Sequence, residues 1–129
     1  MVSAAGLSQD IVYSISGSGK DELWVGRQRG GLTHLSLVNG SITTRTYTQA
    51  DGLPQNGVYA VHQNRDGSVW SATLSGGVSE YKDSHFTTYT TANGLASNMV
   101  SSIAEGVDGT MWFGTPTGLS GLAKNGWRT

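Results

Sequence analysis

Hydrophobic positions in this chain recur in short alternating runs. In its middle third, "VYAVHQ" (58–63), "SVWSAT" (68–73), "VSEYK" (78–82) and "HFTTYT" (85–90) each read as a strand rich in Val, Thr and aromatic residues. Turn residues separate them, with Arg65-Asp66-Gly67 after the first run and Ser75-Gly76-Gly77 after the second. No stretch of useful length places apolar residues at helical spacing. The pattern predicts an all-β chain without helices.

The four-strand pattern is written three times. Gly6, Gly52 and Gly94 lie 46 and 42 residues apart, and Trp24, Trp70 and Trp112 repeat both spacings. Val12, Val58 and Val100 align, as do Ile15, Val61 and Ile103, with a small residue (Ser14, Ala60, Ser102) between each pair. The four extra residues of the first copy fall in "SLVNGSIT" (36–43), where Asn39-Gly40 predicts a two-residue hairpin turn. A period of 40–50 residues with four antiparallel strands per copy describes a β-propeller segment of three blades, about 6–51, 52–93 and 94–129. The first strand of each blade is expected innermost. Val58 and Val61 differ by an odd number, so they are expected to point to opposite faces, each toward a neighbouring blade. The tryptophans, at one offset, are expected to pack between blades.

Composition narrows the partners. The 129 residues include 19 glycines, no cysteine and only 13% charged side chains. Without cysteine there is no disulfide and no thiolate metal site. A net charge of −1 gives no reason to expect nucleic acid or an anionic membrane as partner, and no apolar run is long enough to span a bilayer. "MVSAAG" has neither a basic region nor an apolar stretch, so no signal peptide is expected in this chain.

The motif Gly-Leu-x-x-Asn-x-Val-x-x-Ile/Val, followed by Asp-Gly-x-x-Trp and then Gly-Gly-Val or Gly-Leu, resembles the two-component regulator propeller repeat. The second copy carries most of it (Gly52, Leu53, Asn56, Val58, Val61, Asp66, Gly67, Trp70, Gly76, Gly77). The first copy departs with Asp10 for Asn and "GSGKDELW" for Asp-Gly-x-x-Trp, and the third has Trp127 in place of Phe86. The resemblance implies the sensor propeller of a bacterial hybrid two-component system, periplasmic or extracellular, of a kind that responds to polysaccharides. It implies a non-enzymatic ligand-sensing or scaffolding module with no cofactor. Two other readings stand beside it: an excised or engineered fragment that only self-assembles into a ring, and a propeller lyase or hydrolase.

Closed propellers typically have four to eight blades, so three are expected to leave two outer faces bare. If a second copy followed Thr129 directly, Trp127 would stand eight residues before that copy's Gly6, as Phe86 stands before Gly94. The expected remedy is head-to-tail self-association, with residues 1–5 completing the outer strand of a neighbouring chain's last blade. Two chains would give the expected six-bladed homodimer and three a nine-bladed trimer.

Strand direction places the Gly-Leu loops and the Gly-Gly turns on one face. Candidate ligand-binding residues there are Arg27, Gln28, Arg29, Gln55, Asn56 and Asn98, whose amides and guanidinium groups suit an oligosaccharide. Asn56 and Asn98 at one offset also read as turn residues that bond backbone. Arg27 and Arg29 stand where the second copy has Thr73 and Ser75, and a solvated arginine pair is the plain alternative. Tyr13 and Tyr59 share an offset where the third copy has Ser101, compatible with a lopsided pocket or with core packing. His34, His62 and His85 fall at three offsets without metal-ligand spacing, so no metal site is expected. Asp66 and Asp108 precede Gly and read as turn formers. No catalytic constellation is expected.

Overall fold

A computed structural model describes residues 10–17 and 21–128. Gly6, the first blade's proposed start, and the N-terminal residues of the head-to-tail seam lie outside the described residues. Among the described residues twelve strands form three four-stranded antiparallel sheets, each a meander in chain order. The first holds β1 (Val12–Gly17), β2 (Glu22–Arg27), β3 (Leu32–Val38) and β4 (Ser41–Tyr47). The second holds β5 (Val58–Gln63), β6 (Val69–Thr73), β7 (Val78–Lys82) and β8 (His85–Tyr89). The third holds β9 (Ser102–Glu105), β10 (Met111–Thr115), β11 (Gly118–Ala123) and the short β12 (Gly126–Arg128). The all-β propeller segment expected from the repeat is therefore present, one sheet per copy. Asn39 and Gly40 both take positive φ, 51° and 80°, which is the primed turn that Asn-Gly favours.

Two hydrophobic clusters lie between the sheets. Trp24, Leu32 and Tyr47 of the first sheet meet Val58, Val61 and Val69 of the second, with Leu53 from the connecting loop. Trp70, Ala72 and Val78 of the second sheet meet Val100, Met111 and Phe113 of the third, with Leu95 in the matching loop position. Trp24 and Trp70 are buried, as their common offset predicts; Trp112 is half-buried on the outer face of the third sheet.

One expectation is corrected. Val58 and Val61 do not face opposite neighbours; both enter the cluster against the first sheet, while Ala60 faces the third. The cause is a β-bulge. Val58 pairs with Thr73 and Ala60 with Ala72, so Tyr59 is an extra residue that resets the alternation. The first sheet repeats the bulge, with Val12 opposite Arg27, Ser14 opposite Gly26, and Tyr13 as the extra residue.

The described residues also hold two single turns of 3-10 helix, Gln49–Asp51 and Thr91–Asn93. Each carries a capping box. Thr48 Oγ1 accepts the Ala50 N–H while Asp51 accepts from the Thr48 N–H, and Thr90 and Asn93 repeat the arrangement. These turns lead the chain from the outer strand of one sheet back to the inner strand of the next.

Candidate functional site

The bulges decide where a polar pocket between the first two sheets lies. A bulge re-aims its extra side chain, and here both extra residues are tyrosines. Their rings meet edge to face, with centroids 4.5 Å apart and planes at 70°. Around them Gln28, Gln49, Gln55, Asn56, Gly57 and Leu74 complete a cavity of about 360 Å³ between the first two sheets. Five candidates therefore share one pocket: Tyr13, Tyr59, Gln28, Gln55 and Asn56. Gln49 is the one side-chain amide of the lining that the sequence did not single out. Its signal is the Thr48-x-x-Asp51 capping box, which fixes the turn that carries it.

The amides of this pocket are partly committed. Gln55 is clamped to Ser75, donating from Nε2 to Oγ at 2.6 Å and accepting the Ser75 N–H at Oε1 at 2.8 Å. Asn56 Oδ1 accepts the Gln49 N–H at 2.9 Å, and Gln49 Nε2 donates to the Pro54 carbonyl. Asn98 makes the same backbone bond one sheet later, accepting the Thr91 N–H at 2.8 Å, and lies away from the tyrosine pocket. Gln28's side-chain amide has no partner among the described residues. Burial, followed by the neighbouring Tyr13, pushes the Tyr59 hydroxyl above the usual phenol range, so it stays neutral at physiological pH.

The two arginines do not enter the pocket. Arg27 is buried and pairs with Asp10 at 3.2 Å, both side chains less than a tenth exposed. It also donates to Thr33 Oγ1 at 3.1 Å. Asp10 in turn accepts the backbone N–H groups of Ile11, Arg29 and Gly30. Arg27 and Asp10 thus pin the β2–β3 turn, the task that Thr73 performs in the second sheet by bonding Gly76 and Gly77. Arg29 is exposed at the tip of that turn.

Burial works against the Asp10 charge, but the N–H groups of Gly30, Arg29 and Ile11 and the Arg27 guanidinium outweigh it and hold the carboxyl below its ordinary pKa. A depressed carboxylate contributes stability above its unfolded pKa and loses it as pH falls through the folded value. Asp10→Asn is expected to lose about 2 kcal/mol at pH 7. The gap to the unsubstituted protein should narrow as pH drops below about 4. Urea melts at a series of pH values measure it.

At the opposite ends of the same strands, polar side chains bridge the sheets. Glu22 accepts from Gln63 Nε2 and bonds His34 Nε2, each at 2.7 Å, and these two contacts lower its pKa. Glu105 joins Arg65 at 3.1 Å and His62 at 3.4 Å. Asp66 and Asp108 accept the N–H groups of Ser68 and Thr110 inside their turns. Among the described residues no group of three His, Asp or Glu side chains could hold a metal ion. No helix of the described residues is long and apolar enough to cross a membrane.

Residues 94–117 match the family model of the two component regulator propeller. No curated protein matches. Among solved structures, the chain is similar to the extracellular domain of BT3049 from B. thetaiotaomicron, assigned as a hybrid two component system. The TM-score is 0.77 at 22% identity, over 92% of this chain and 17% of that one. A second such extracellular domain, BT4673, matches with a TM-score of 0.71 and 25% identity, over 88% of this chain and 16% of that one. Virginiamycin B lyase from Staphylococcus aureus shares the fold with a TM-score of 0.67 and 21% identity, over 91% and 40%. The chain thus spans about a sixth of the length of the two extracellular domains. It resembles the two-component regulator propellers in fold, and its third repeat carries their sequence model.

Proposed function

We propose that the chain is a non-enzymatic segment of an extracytoplasmic sensor propeller and that its first two blades bind a neutral saccharide in the Tyr13–Tyr59 pocket. The carrying observation is the lining: two aromatic rings, four side-chain amides, a leucine and a glycine, with no charged group. Sugar rings offer C–H faces to aromatic planes and hydroxyls to amides, and an uncharged lining recognises them without favouring an acid. The amides on Gln55 and Asn56 are held by their own backbone contacts, which lowers the ordering cost of binding. The lining holds no carboxylate, imidazole, amine or thiol, which supports binding over turnover. The resemblance to extracellular domains of hybrid two-component systems supports a role outside the cytoplasm, in sensing or in presenting neighbouring domains.

Thermal unfolding against neutral and uronic-acid oligosaccharides tests this. A neutral oligosaccharide at a hundred times its Kd should raise the Tm by several degrees. Tyr13→Ala should abolish the rise while leaving the unliganded Tm within about 2 °C, because Tyr13 is 40% exposed. A rise that survives this substitution, or appears only with acidic sugars, would place the ligand elsewhere.

A further inference from the structure

We infer that the third sheet's outer face is a docking surface for the first sheet's outer face of a second copy of this chain. Repeat position by repeat position, the two bare faces are the halves of an interface that the molecule already contains twice. Val58 and Val100 are fully buried against the preceding sheet, whereas Val12, their equivalent, is 40% exposed. Val69 and Met111 are buried at 1% and 3%, and their equivalent Leu23 is 44% exposed. On the other side, Leu32 and Val78 are fully buried against the following sheet, whereas Leu119 is 57% exposed beside the half-buried Trp112.

The partner for each face follows from the two interfaces already made. Trp24 sits against Val58, Val61 and Val69, and Trp70 against Val100, Met111 and Phe113. Trp112 is the third member of that series and Val12, Ile15 and Leu23 are the third receiving set. The receiving face is open, with a groove of about 240 Å³ in which Leu23 is joined by Leu35, Leu37 and Ile42. The groove lacks the aromatic ring that Phe86 supplies in the second sheet, since Thr44 faces Leu35 where Phe86 faces Tyr81. That leaves room for an incoming indole. One polar contact is also matched: Ser14 Oγ accepts the Val61 N–H across the first interface, and Ser102 repeats Ser14. It is thereby placed to accept the Ile15 N–H of the incoming copy.

Such a contact is heterologous and either closes into a ring or runs on as a filament. Closure by two copies is inferred because six blades lie within the four to eight typical of closed propellers. Light scattering on the full 129-residue chain is expected to give a two-chain mass. Leu23→Glu and Leu119→Glu alter exposed positions on the two faces, and each alone should give a folded monomer by circular dichroism. Mixed in equal amounts, the two variants should recover an open dimer, because one intact face of each kind remains. A folded monomer for the unsubstituted chain at tens of micromolar overturns the proposal. So does loss of association from only one of the two substitutions, the signature of a face that pairs with itself. A three-chain mass with the same mutational pattern supports the contact and overturns closure at six blades.

Discussion

Replacing Gly77 with alanine is expected to destabilise the fold by about 4 kcal/mol, whereas the same change at Gly118 costs about 1 kcal/mol. The two glycines occupy one repeat position, and both have positive φ, 82° and 135°. The left-handed conformation alone accounts for the smaller figure. At Gly77 a methyl group would also collide with the Tyr89 carbonyl oxygen, part of the backbone of β8. Neither partner can yield. The Gly77 N–H donates to the Asn98 carbonyl at 2.8 Å and its own carbonyl accepts from Thr73, so the residue is fixed between its sheet and the next loop. Gly31 repeats the arrangement against the Tyr47 and Asn56 carbonyls. Gly118 has no atom in reach of an added Cβ. Against a typical domain stability of about 5–15 kcal/mol the difference is easily read from urea melts followed by tryptophan fluorescence. Equal losses at the two positions would show that φ, and not the collision, sets the cost.

The second large effect is expected at Trp70. Its indole is 4% exposed and lies between sheets, stacked on Tyr89 at 5.8 Å and tilted against Phe113 at 5.6 Å. Trp70→Ala removes this ring from a cluster that the third sheet cannot collapse into, and a loss of about 3–5 kcal/mol is expected. The indole contributes mass rather than a hydrogen bond, because Nε1 is buried without a partner among the described residues. Trp70→Phe should therefore retain most of the stability, losing about 1–2 kcal/mol. Denaturation midpoints at unchanged m-value measure both. A loss below about 1.5 kcal/mol for the alanine variant would mean that the second and third sheets are held by something other than this cluster.

Strand boundaries, the Asn39-Gly40 hairpin and the burial of Trp24 and Trp70 were legible because they depend on local chemistry repeated at fixed offsets. The inner strands were misread because a bulge breaks the two-residue alternation without leaving a Gly or Pro to mark it. Val58, Tyr59 and Ala60 look like ordinary strand residues. Arg27 illustrates a different failure. Its partner Asp10 sits on another loop, and nothing in the spacing of 17 residues says that the two will bury each other. Thr48 and Asp51 form a capping box, but the turn they close is too short to raise a helical periodicity, so it went unread in the sequence. The tyrosine pocket was half legible: a shared offset named Tyr13 and Tyr59, while the bulge that turns them toward Gln28 and Gln49 had to be seen.

The inner strands have one more consequence. Ser14 and Ser16 of β1 accept the Val61 and Gln63 N–H groups of β5, the donors on that strand's free edge. An unpaired strand edge is an invitation to any passing chain. Here the donors of β5 are already occupied by hydroxyls too short to extend a ladder, so an intruding strand would have to evict both before pairing. The same two bonds set the neighbouring blade at a fixed height along β5, and a slip by two residues would have to break both together. Two serines thus protect the chain from mispairing with others and from sliding against itself.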